Sequence, residues 1–285
     1  MTMTRLGVSL SAIAALAFAA VTACGSTSEP ATRTTPSQVA TGESSSTTSP
    51  SGDSAPDSTE ASAPSPSNPA GSEISPKVFL ERLKAGMQGK LTYHIDMTMT
   101  GPESIRITGD ADMTNPRGKN MTVEMSGSGV PGTVRMRMVD DVGYMSVPGL
   151  TPAGKYIKVD PNNPNDRLGV GMKQSLRSGG LDSTFDAFNA GLMKVVDQGS
   201  DTVDGEQLRK YVLTVDAAKA MAAQNKAMVP NLPATLEYEL WLDDQDLMRQ
   251  VTFGMKGIRG VAKVSKWGEP VNIIAPPLDS LVPAP

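Results

Sequence analysis

The sequence has few of the side chains that carry most enzyme chemistry. Its 285 residues include one histidine and one cysteine. A single cysteine excludes an internal disulfide framework and a CxxC redox or zinc motif, and no Ser/His/Asp set with a plausible context is present. Basic and acidic residues number 26 and 30, with no basic run, so nucleic acid is not an expected partner. We therefore expect a protein that is not an enzyme and uses no cofactor.

Long hydrophobic runs are also scarce, and the one clear run is at the N terminus. Arg5 is followed by Leu6–Ala20, which is almost wholly apolar. At about 15 residues this run has the length of a signal-peptide core and falls short of the ~20 residues of a membrane-spanning helix. We therefore expect residues 1–23 to be a signal peptide and the protein to be exported.

The end of this run resembles the lipobox of bacterial lipoproteins. Val21, Thr22 and Ala23 provide an aliphatic residue followed by small ones, and Cys24 comes next. The resemblance implies cleavage before Cys24 and acylation of this residue with fatty acids such as palmitate. Two acyl chains anchor a protein stably, whereas one chain is marginal. The alternative is an unmodified thiol beside an ordinary cleavage site. The resemblance therefore implies a location on the outer face of the cytoplasmic membrane.

Residues 24–72 have the composition of a disordered tether. Of the 48 residues from Gly25 to Ser72, 29 are Ser, Thr or Pro, none is aromatic, and Val39 is the only large aliphatic residue. Such a segment cannot bury enough apolar surface to offset the entropy cost of ordering. A random coil of this length spans roughly 35–40 Å. We interpret it as a linker that lifts residues 73–285, the predicted folded domain, away from the lipid headgroups.

The folded domain opens with a predicted helix. Ser75 is a candidate N-cap, and Pro76 suits the first helical position. Phe79, Leu83 and Met87 recur every four residues and form one apolar stripe. This pattern predicts an amphipathic helix that packs one face against the rest of the domain.

Alternating apolar and polar residues then predict a series of short strands. The clearest strand runs from Leu91 to Thr100 with strict period two. The other predicted elements are strands at 105–113, 121–125, 134–138, 142–147, 155–159, 207–215, 236–242, 247–255 and 261–267, with helices at 182–192 and 217–228. A loop rich in Asn, Pro and Gly is expected before the first of these helices. Short connections favour antiparallel hairpins, so the predicted class is α+β with a large antiparallel sheet.

Three short segments resemble binding motifs but lack the context that each motif requires. Gly127–Gly132 matches GxGxxG, but a strand follows it instead of a helix, so we predict a hairpin turn. Asp243–Asp246 lacks the glycine and distal glutamate of a calcium loop and is interpreted as a polar turn. Asn162–Asp166 is interpreted as a solvated loop. We therefore expect no catalytic residue and no metal site.

Methionine is frequent, with 17 residues against 12 aromatic residues. Methionines fill irregular gaps in a core, line a pliable cavity for apolar ligands, or bind Cu(I) through their thioethers. Copper is disfavoured because His94 is predicted to lie on the strand face opposite Met97 and Met99. The methionine pairs are also spread through the apolar residues and are not clustered in a polar loop. Core packing and cavity lining both stay open at this point.

The order of elements and several C-terminal phrases resemble a known family. The sequence runs from a lipobox through a low-complexity tether to an opening helix, repeated antiparallel strands and late helices. The most specific stretches are Leu240–Asp243, Leu247–Val251, Lys266–Val271 and Ala275–Pro277. They resemble the LppX/LprG-type lipoproteins of actinobacteria, whose fold is akin to that of the LolA/LolB lipoprotein carriers. The likeness covers most of residues 75–279.

The resemblance implies a strongly curved half-barrel sheet with helices on its concave face and an apolar cavity between them. Family members bind acylated lipids or glycolipids there, and several are linked to lipid movement across the envelope. The residues expected to line the cavity are apolar positions of the inward strand face and the covering helices: Met97, Met99, Ile107, Val123, Met125, Met136, Met138, Phe185, Phe188 and Leu240. A monomeric, lipid-binding lipoprotein is expected. The alternative is an envelope interaction or sensor module with a filled core.

Lipid transfer would require the cavity to open. Glycine and proline in the connections between predicted elements supply flexible points at Gly169–Gly171, Gly179–Gly180 and Val229–Pro233. We predict that these segments act as hinges for the covering helices.

Overall fold

The described residues belong to the predicted domain and to the last four residues of the predicted tether. The computed structural model describes residues 69–115, 120–128, 130, 132–179, 181–224, 231–255 and 257–284. The predicted signal peptide, Cys24 and most of the tether lie outside this part of the chain and stay predictions. No helix within these described ranges is long and apolar enough to cross a membrane.

One sheet contains all the strands of the described residues. In chain order these are β1 (Glu73–Ile74), β2 (Thr92–Thr100), β3 (Ile105–Asp112), β4 (Asn120–Gly127), β5 (Val134–Val139), β6 (Val142–Ser146), β7 (Tyr156–Val159), β8 (Leu192–Val203), β9 (Glu206–Asp216), β10 (Thr235–Leu242), β11 (Met248–Met255), β12 (Ile258–Ser265) and β13 (Leu281–Val282). Their order from edge to edge is β1-β8-β9-β10-β11-β12-β2-β3-β4-β5-β6-β7-β13. The sheet does not close. The pairing is antiparallel except between β13 and β7.

Helices accompany the sheet on its apolar, concave face. Those of the described chain are α1 (Pro76–Met87), α2 (Arg167–Gly179), α3 (Leu181–Gly191) and α4 (Ala217–Ala223). Phe79 of α1 packs on Tyr211 of β9, with ring centroids 5.0 Å apart. Phe188 of α3 packs edge-on against Tyr238 of β10, with centroids 5.4 Å apart. The expected α+β class, with a large curved sheet and helices on one face, is confirmed.

Helix α1 is held by the turn between β10 and β11. The Arg82 guanidinium donates to both carboxylate oxygens of Asp246 in this turn, and Nε lies 3.3 Å from Oδ2. Gly86 packs so closely against the same turn that an added Cβ would lie 2.6 Å from the carbonyl oxygen of Gln245. An ion pair and a close backbone contact therefore fix the position of α1 over the sheet.

The β8–β9 hairpin folds onto the opposite, convex face of the sheet. Its residue Asp201 accepts a hydrogen bond from the Trp241 indole nitrogen, with Oδ2 and Nε1 2.9 Å apart. Asp204 at the hairpin tip forms an ion pair with Lys263 of β12. Trp241 is only 5% exposed although it points away from the concave face. The hairpin tip thus covers the one large aromatic residue on this part of the convex face.

Residues 266–282 form a C-terminal strap that runs from β12 to the far edge of the sheet. Near its start, the Thr92 hydroxyl donates to the carbonyl of Glu269 at 2.7 Å. At its end, Leu281 pairs in parallel register with Tyr156 of β7. Two of the four sequence stretches on which the family resemblance rests lie in this strap. These two stretches therefore belong to a segment whose end pairs with β7 near the edge of the sheet.

The predicted loop after β7 is wrong, because α2 occupies most of it. The predicted hinge Gly169–Gly171 lies inside this helix, and an added Cβ at Gly169 would lie 2.2 Å from the carbonyl oxygen of Asp160. Gly169 therefore permits close packing and does not act as a flexible point. Gly179 is the last residue of α2, and Gly180 lies outside the described residues. The hinge predicted at Val229–Pro233 is only partly described and stays a prediction.

Strand β8 was not predicted from the sequence. Register shifts between Leu192 and Lys194 and between Asp197 and Gly199 interrupt its period of two. Asp197 is fully buried and accepts a hydrogen bond from Arg209 Nε at 2.8 Å, so a charged side chain occupies an inward position. The two-residue strands β1 and β13 were not predicted either. The strands that were predicted are confirmed, with ends shifted by at most three residues. The helix predicted at 217–228 is observed as α4, and residues 225–230 lie outside the described chain.

Replacing Gly86 by alanine should lower the free energy of unfolding by about 1–3 kcal/mol. The added Cβ would meet the backbone oxygens of Gln245 and Asp246 at 2.6 and 2.7 Å, which outweighs the gain in helix propensity of about 1 kcal/mol. Urea denaturation measures the change. Gly254→Ala is the matched control, since the nearest atom to its added Cβ is 3.8 Å away. Equal effects of the two variants would contradict the fixed position of α1.

Candidate functional site

The concave face carries apolar residues in rows that cross the strands. One row follows the hydrogen-bonded register from β9 to β5 through Tyr211, Leu240, Val251, Ala262, Met97, Ile107, Met125 and Val134. Burial decreases along this row: Leu240 and Met97 are 0% exposed, whereas Met125 and Val134 are half-buried. The covering of the concave face therefore thins towards β4 and β5.

Strand β4 is where the concave face is least covered. None of its residues is buried, and its three inward side chains are half-buried. On one side lies the larger core cluster, under α1, α3 and α4, and on the other lies a smaller cluster made of Met136, Met138, Ile157, Val159 and Met172. Val123 packs against both clusters. We define the β4 seam as Met121, Val123 and Met125 with the half-buried apolar neighbours Ile105, Val134 and Met145.

The helices and two glycines explain why the seam lies at β4. Met172 of α2 packs over β6, where an added Cβ at Gly143 would lie 2.5 Å from its sulfur atom. Helices α1, α3 and α4 pack on the other half of the sheet, over β8 and β9. In the neighbouring row, Gly109 lies between Ile95 and Val123 in the cross-strand register and contributes no side chain. The space between the two helix groups is therefore lined by β4 and its neighbours.

The seam presents an uncharged surface. All six of its side chains are aliphatic or methionine. On the same face, burial raises the pKa of the Tyr238 phenol, a group that is neutral at physiological pH. Burial likewise raises the pKa of Tyr211. An apolar molecule in the seam would meet no charge and would make few directional contacts.

Charged residues do reach the concave face, but at the α1 side. Asp197 is fully buried beside Arg209, and Arg82 is partly buried with Asp246. Each carboxylate has a guanidinium partner, which offsets the cost of burying it. These pairs hold β8 and α1 to the rest of the domain and do not line the seam.

The structure places all ten predicted cavity residues on the concave face or on the helix that covers it. Those within the larger cluster are Met97, Met99, Ile107, Phe188 and Leu240, and those within the smaller one are Met136 and Met138. Val123, Met125 and Phe185 are half-buried. Because Met97 and Leu240 are 0% exposed, they fill the core, and only the half-buried residues have free surface on this face. Ligand contact by any of the ten stays a prediction.

Four seam residues were not among the predicted site residues. Met121, Ile105, Val134 and Met145 have the same period-two positions as the predicted ones. The alternation of apolar and polar residues assigns them to the concave face, so the sequence was sufficient to predict them as site residues. It did not indicate which apolar positions stay half-buried, because that depends on where the helices pack.

The other motifs behave as turns and surface pairs. His94 lies 2.8 Å from Asp110 through Nδ1 and Oδ1 on the convex face, opposite the fully buried Met97, as expected. Asp243 accepts hydrogen bonds from the backbone amides of Gln245 and Leu247 and closes the β10–β11 turn. The predicted hairpin joins the antiparallel β4 and β5. Within the described ranges, no group of three His, Cys, Asp or Glu side chains could hold a metal ion.

Comparison with known proteins identifies the fold. No protein-family model matches the sequence, and no curated protein matches it either. The solved structure of LprF from Mycobacterium bovis is similar, with 18% identity, a TM-score of 0.50, and coverage of 72% of this chain and 99% of LprF. LppX from Mycobacterium tuberculosis has 16% identity and a TM-score of 0.47 over 70% and 100% of the two chains. A LolA superfamily protein from Nitrosomonas europaea has 10% identity and a TM-score of 0.24 over 68% and 92%.

The similarity to LprF shows a shared fold. It confirms, at the level of fold, the resemblance to LppX/LprG-type lipoproteins that the C-terminal phrases indicated. The shared fold covers nearly the whole length of LprF.

Truncating a core methionine should cost more stability than truncating a seam methionine. Met97→Ala should lower the free energy of unfolding by about 2–5 kcal/mol, because it opens a cavity at a fully buried position. Met125→Ala should cost about 1 kcal/mol, because the half-buried side chain already has free surface. Urea denaturation of both variants measures the difference. Equal losses would show that β4 is packed as tightly as β2 and that no seam exists.

Proposed function

We propose that the protein is a membrane-anchored, extracytoplasmic lipoprotein that binds the acyl chains of lipids or glycolipids along the β4 seam. The observation that carries this proposal is a strip of half-buried apolar side chains on a strand that has no buried residue. Two packed core clusters flank the strip, so it is a gap in the covering of a folded domain. The fold shared with LprF from Mycobacterium bovis supports the proposal.

The chemistry of the seam suits acyl chains better than polar ligands. Transfer of an acyl chain from water to an apolar surface yields ~0.8 kcal/mol for each CH₂ group. Methionine side chains are flexible and polarisable, so they adapt to chains of different length and saturation. A polar headgroup has no charged partner among the seam residues, and it therefore stays at the exit of the seam. Binding is selective for the apolar part of the ligand.

The N-terminal region supplies the membrane location in this proposal. Cleavage after Val21, Thr22 and Ala23 leaves Cys24 as the acylated N terminus, on the outer face of the cytoplasmic membrane. The 48 residues from Gly25 to Ser72 then allow the domain to reach a lipid donor or acceptor while it stays anchored. Release of an acyl chain from the seam to a second membrane or carrier would make the protein a lipid-transfer protein.

An interaction or sensor module is the second candidate function. Met97 and Leu240 are 0% exposed, so much of the predicted cavity is filled by the protein's own side chains. In such a module the seam would be a surface groove without a lipid ligand. Analysis of bound lipid separates the two functions directly.

Purified full-length protein should carry lipid, and blocking the seam should remove it. Val123→Trp and Met125→Trp each place a bulky ring in the seam, and each should lower the lipid-to-protein ratio about tenfold or more, because overpacking by 1–3 kcal/mol opposes binding. Organic extraction followed by mass spectrometry measures the ratio. It distinguishes a bound lipid from the covalent acyl groups, which are not extracted.

Glu124→Trp is the matched control for this experiment. Glu124 lies between the two test positions on β4, but it is exposed on the convex face. This variant should keep its lipid, and thermal denaturation checks that all three variants remain folded. Two outcomes would favour the interaction or sensor module with a filled core. One is unaltered protein without extractable lipid, and the other is an equal loss of lipid from all three folded variants.

A further inference from the structure

The connections at the two ends of the strands differ in charge. By register, one end gathers the connections 101–104, 128–133, 147–155, 217–234 and 256–257 with the 278–280 turn of the strap, which we call the charge-poor rim. The charged residues in these segments are Glu103, Lys155, Lys219, Lys226, Lys256 and Asp279. The opposite end gathers 113–119, 140–141, 160–166, 204–205 and 243–247, which we call the acidic rim. Its segments contain the basic residues Arg117 and Lys119 and the acids Asp140, Asp141, Asp160, Asp166, Asp204, Asp243, Asp244 and Asp246.

Turn geometry does not require this difference. Asp140 and Asp141 both have positive φ angles, of 48° and 64°. The charge-poor rim meets the same backbone requirement with glycine, as at Gly149 and Gly154, where φ is 84° and 73°. Aspartate also tolerates positive φ, so the turns of the two rims meet the same backbone requirement with residues of different charge. The lower charge of one rim is therefore a property of its surface.

Ion pairs neutralise part of the negative charge of the acidic rim, but the rim still carries charged groups. Asp246 pairs with Arg82 and Asp204 pairs with Lys263. The connection between β3 and β4 adds Arg117 and Lys119 in the sequence at this end. A charged group, paired or not, must lose water to enter an interfacial layer, and this loss is costly. The acidic rim is consequently the end that stays in water.

The charge-poor rim exposes large apolar side chains. Leu150 is 42% exposed in the connection between β6 and β7, and Leu278 is 86% exposed in the strap. The Lys155 ammonium donates to the backbone carbonyl of Asp279 at 2.8 Å and joins the two segments. Two leucines thus project from adjoining segments whose surroundings contain little charge.

The β4 seam widens towards the same rim. At the charge-poor end, Met125 lies between the buried Ile107, which is 6% exposed, and the half-buried Val134. At the acidic end, Met121 lies between Ala111 and Met138, which are 3% and 5% exposed. An acyl chain lying in the seam would therefore leave it beside the two exposed leucines.

We propose that the charge-poor rim is a docking surface for a phospholipid bilayer. Leu150 and Leu278 enter the interfacial layer, the seam faces the membrane, and the acidic rim points into water. The predicted acyl anchor at Cys24 keeps the domain at high effective concentration near the bilayer, so a small apolar contact is sufficient. The role of this orientation in lipid exchange rests on the proposed function. The docking is measured by an experiment that does not depend on lipid binding in the seam.

Single-cysteine labelling on vesicles tests the orientation. Leu150→Cys and Leu278→Cys variants of the full-length acylated protein are labelled with an environment-sensitive nitrobenzoxadiazole dye. They are reconstituted in vesicles of phosphatidylcholine and phosphatidylglycerol at a ratio of 3:1. Labels that enter the interfacial layer should gain about threefold in emission over lipid-free protein and shift to the blue. Acylation blocks Cys24, the only native cysteine, and mass spectrometry confirms a single label for each chain.

Leu91→Cys provides the matched control. Leu91 is 44% exposed, much like Leu150, but it precedes β2 at the acidic end. Its label should change by less than about 1.5-fold, because this end stays in water. A response at Leu91 as large as those at Leu150 and Leu278, or no response at the two rim positions, would overturn the docking proposal. A rim response that needs envelope proteins and is absent on pure vesicles would overturn it as well.

A second pair of measurements separates docking from lipid binding. Leu150→Glu combined with the label at position 278 should reduce the vesicle response at least twofold, because a carboxylate resists entry into the interface. The same variant should keep its extractable lipid, because Leu150 lies outside the seam. Loss of the vesicle response with lipid retained is the result expected from a docking surface. Absence of lipid in the unaltered protein would refute the proposed function, and the vesicle responses would still decide the orientation.

Discussion

The sheet has one apolar face, and the cost of leaving that face in water determines where the helices lie. Each Å² of apolar surface removed from water contributes roughly 25 cal/mol to stability. Helices α1, α3 and α4 cover the half of the face around β8 and β9, and α2 covers β6 and β7. The ion pair between Arg82 and Asp246 holds α1 against the β10–β11 turn. Strand β4 lies between the two covered halves. Its methionines stay half-buried because neither group of helices covers them fully.

The strand pattern could be predicted where residues alternate strictly, and the sheet from β2 to β5 follows it closely. It failed where the local sequence contradicts the fold. Strand β8 contains two register shifts and an inward-facing aspartate, so its period of two is broken. Helix α2 contains Gly169, which suggests a loop until its close contact with the Asp160 carbonyl is known. In both cases a tertiary contact overrides the local preference.

The candidate site was predicted to the correct face but not to the correct positions. Period two assigns Met97 and Met125 to the same face, and the register confirms that both belong to one row. Only the packing of helices from distant parts of the sequence makes the first fully buried and the second half-buried. Composition indicated that methionine would be important, and the structure divides these residues between core and seam.

The pairing of β2 with β12 has a consequence for the order of folding. Their register joins Thr98 to Val261 and His94 to Ser265, residues far apart in the chain. Contacts of such long sequence separation form slowly, because a large loop must close before they become favourable. The first hairpins therefore cannot attach to the rest of the sheet until nearly the whole domain has been synthesised. While the last strands are missing, the two halves of the sheet therefore stay unjoined, although the consecutive pairs from β2 to β7 involve only local contacts.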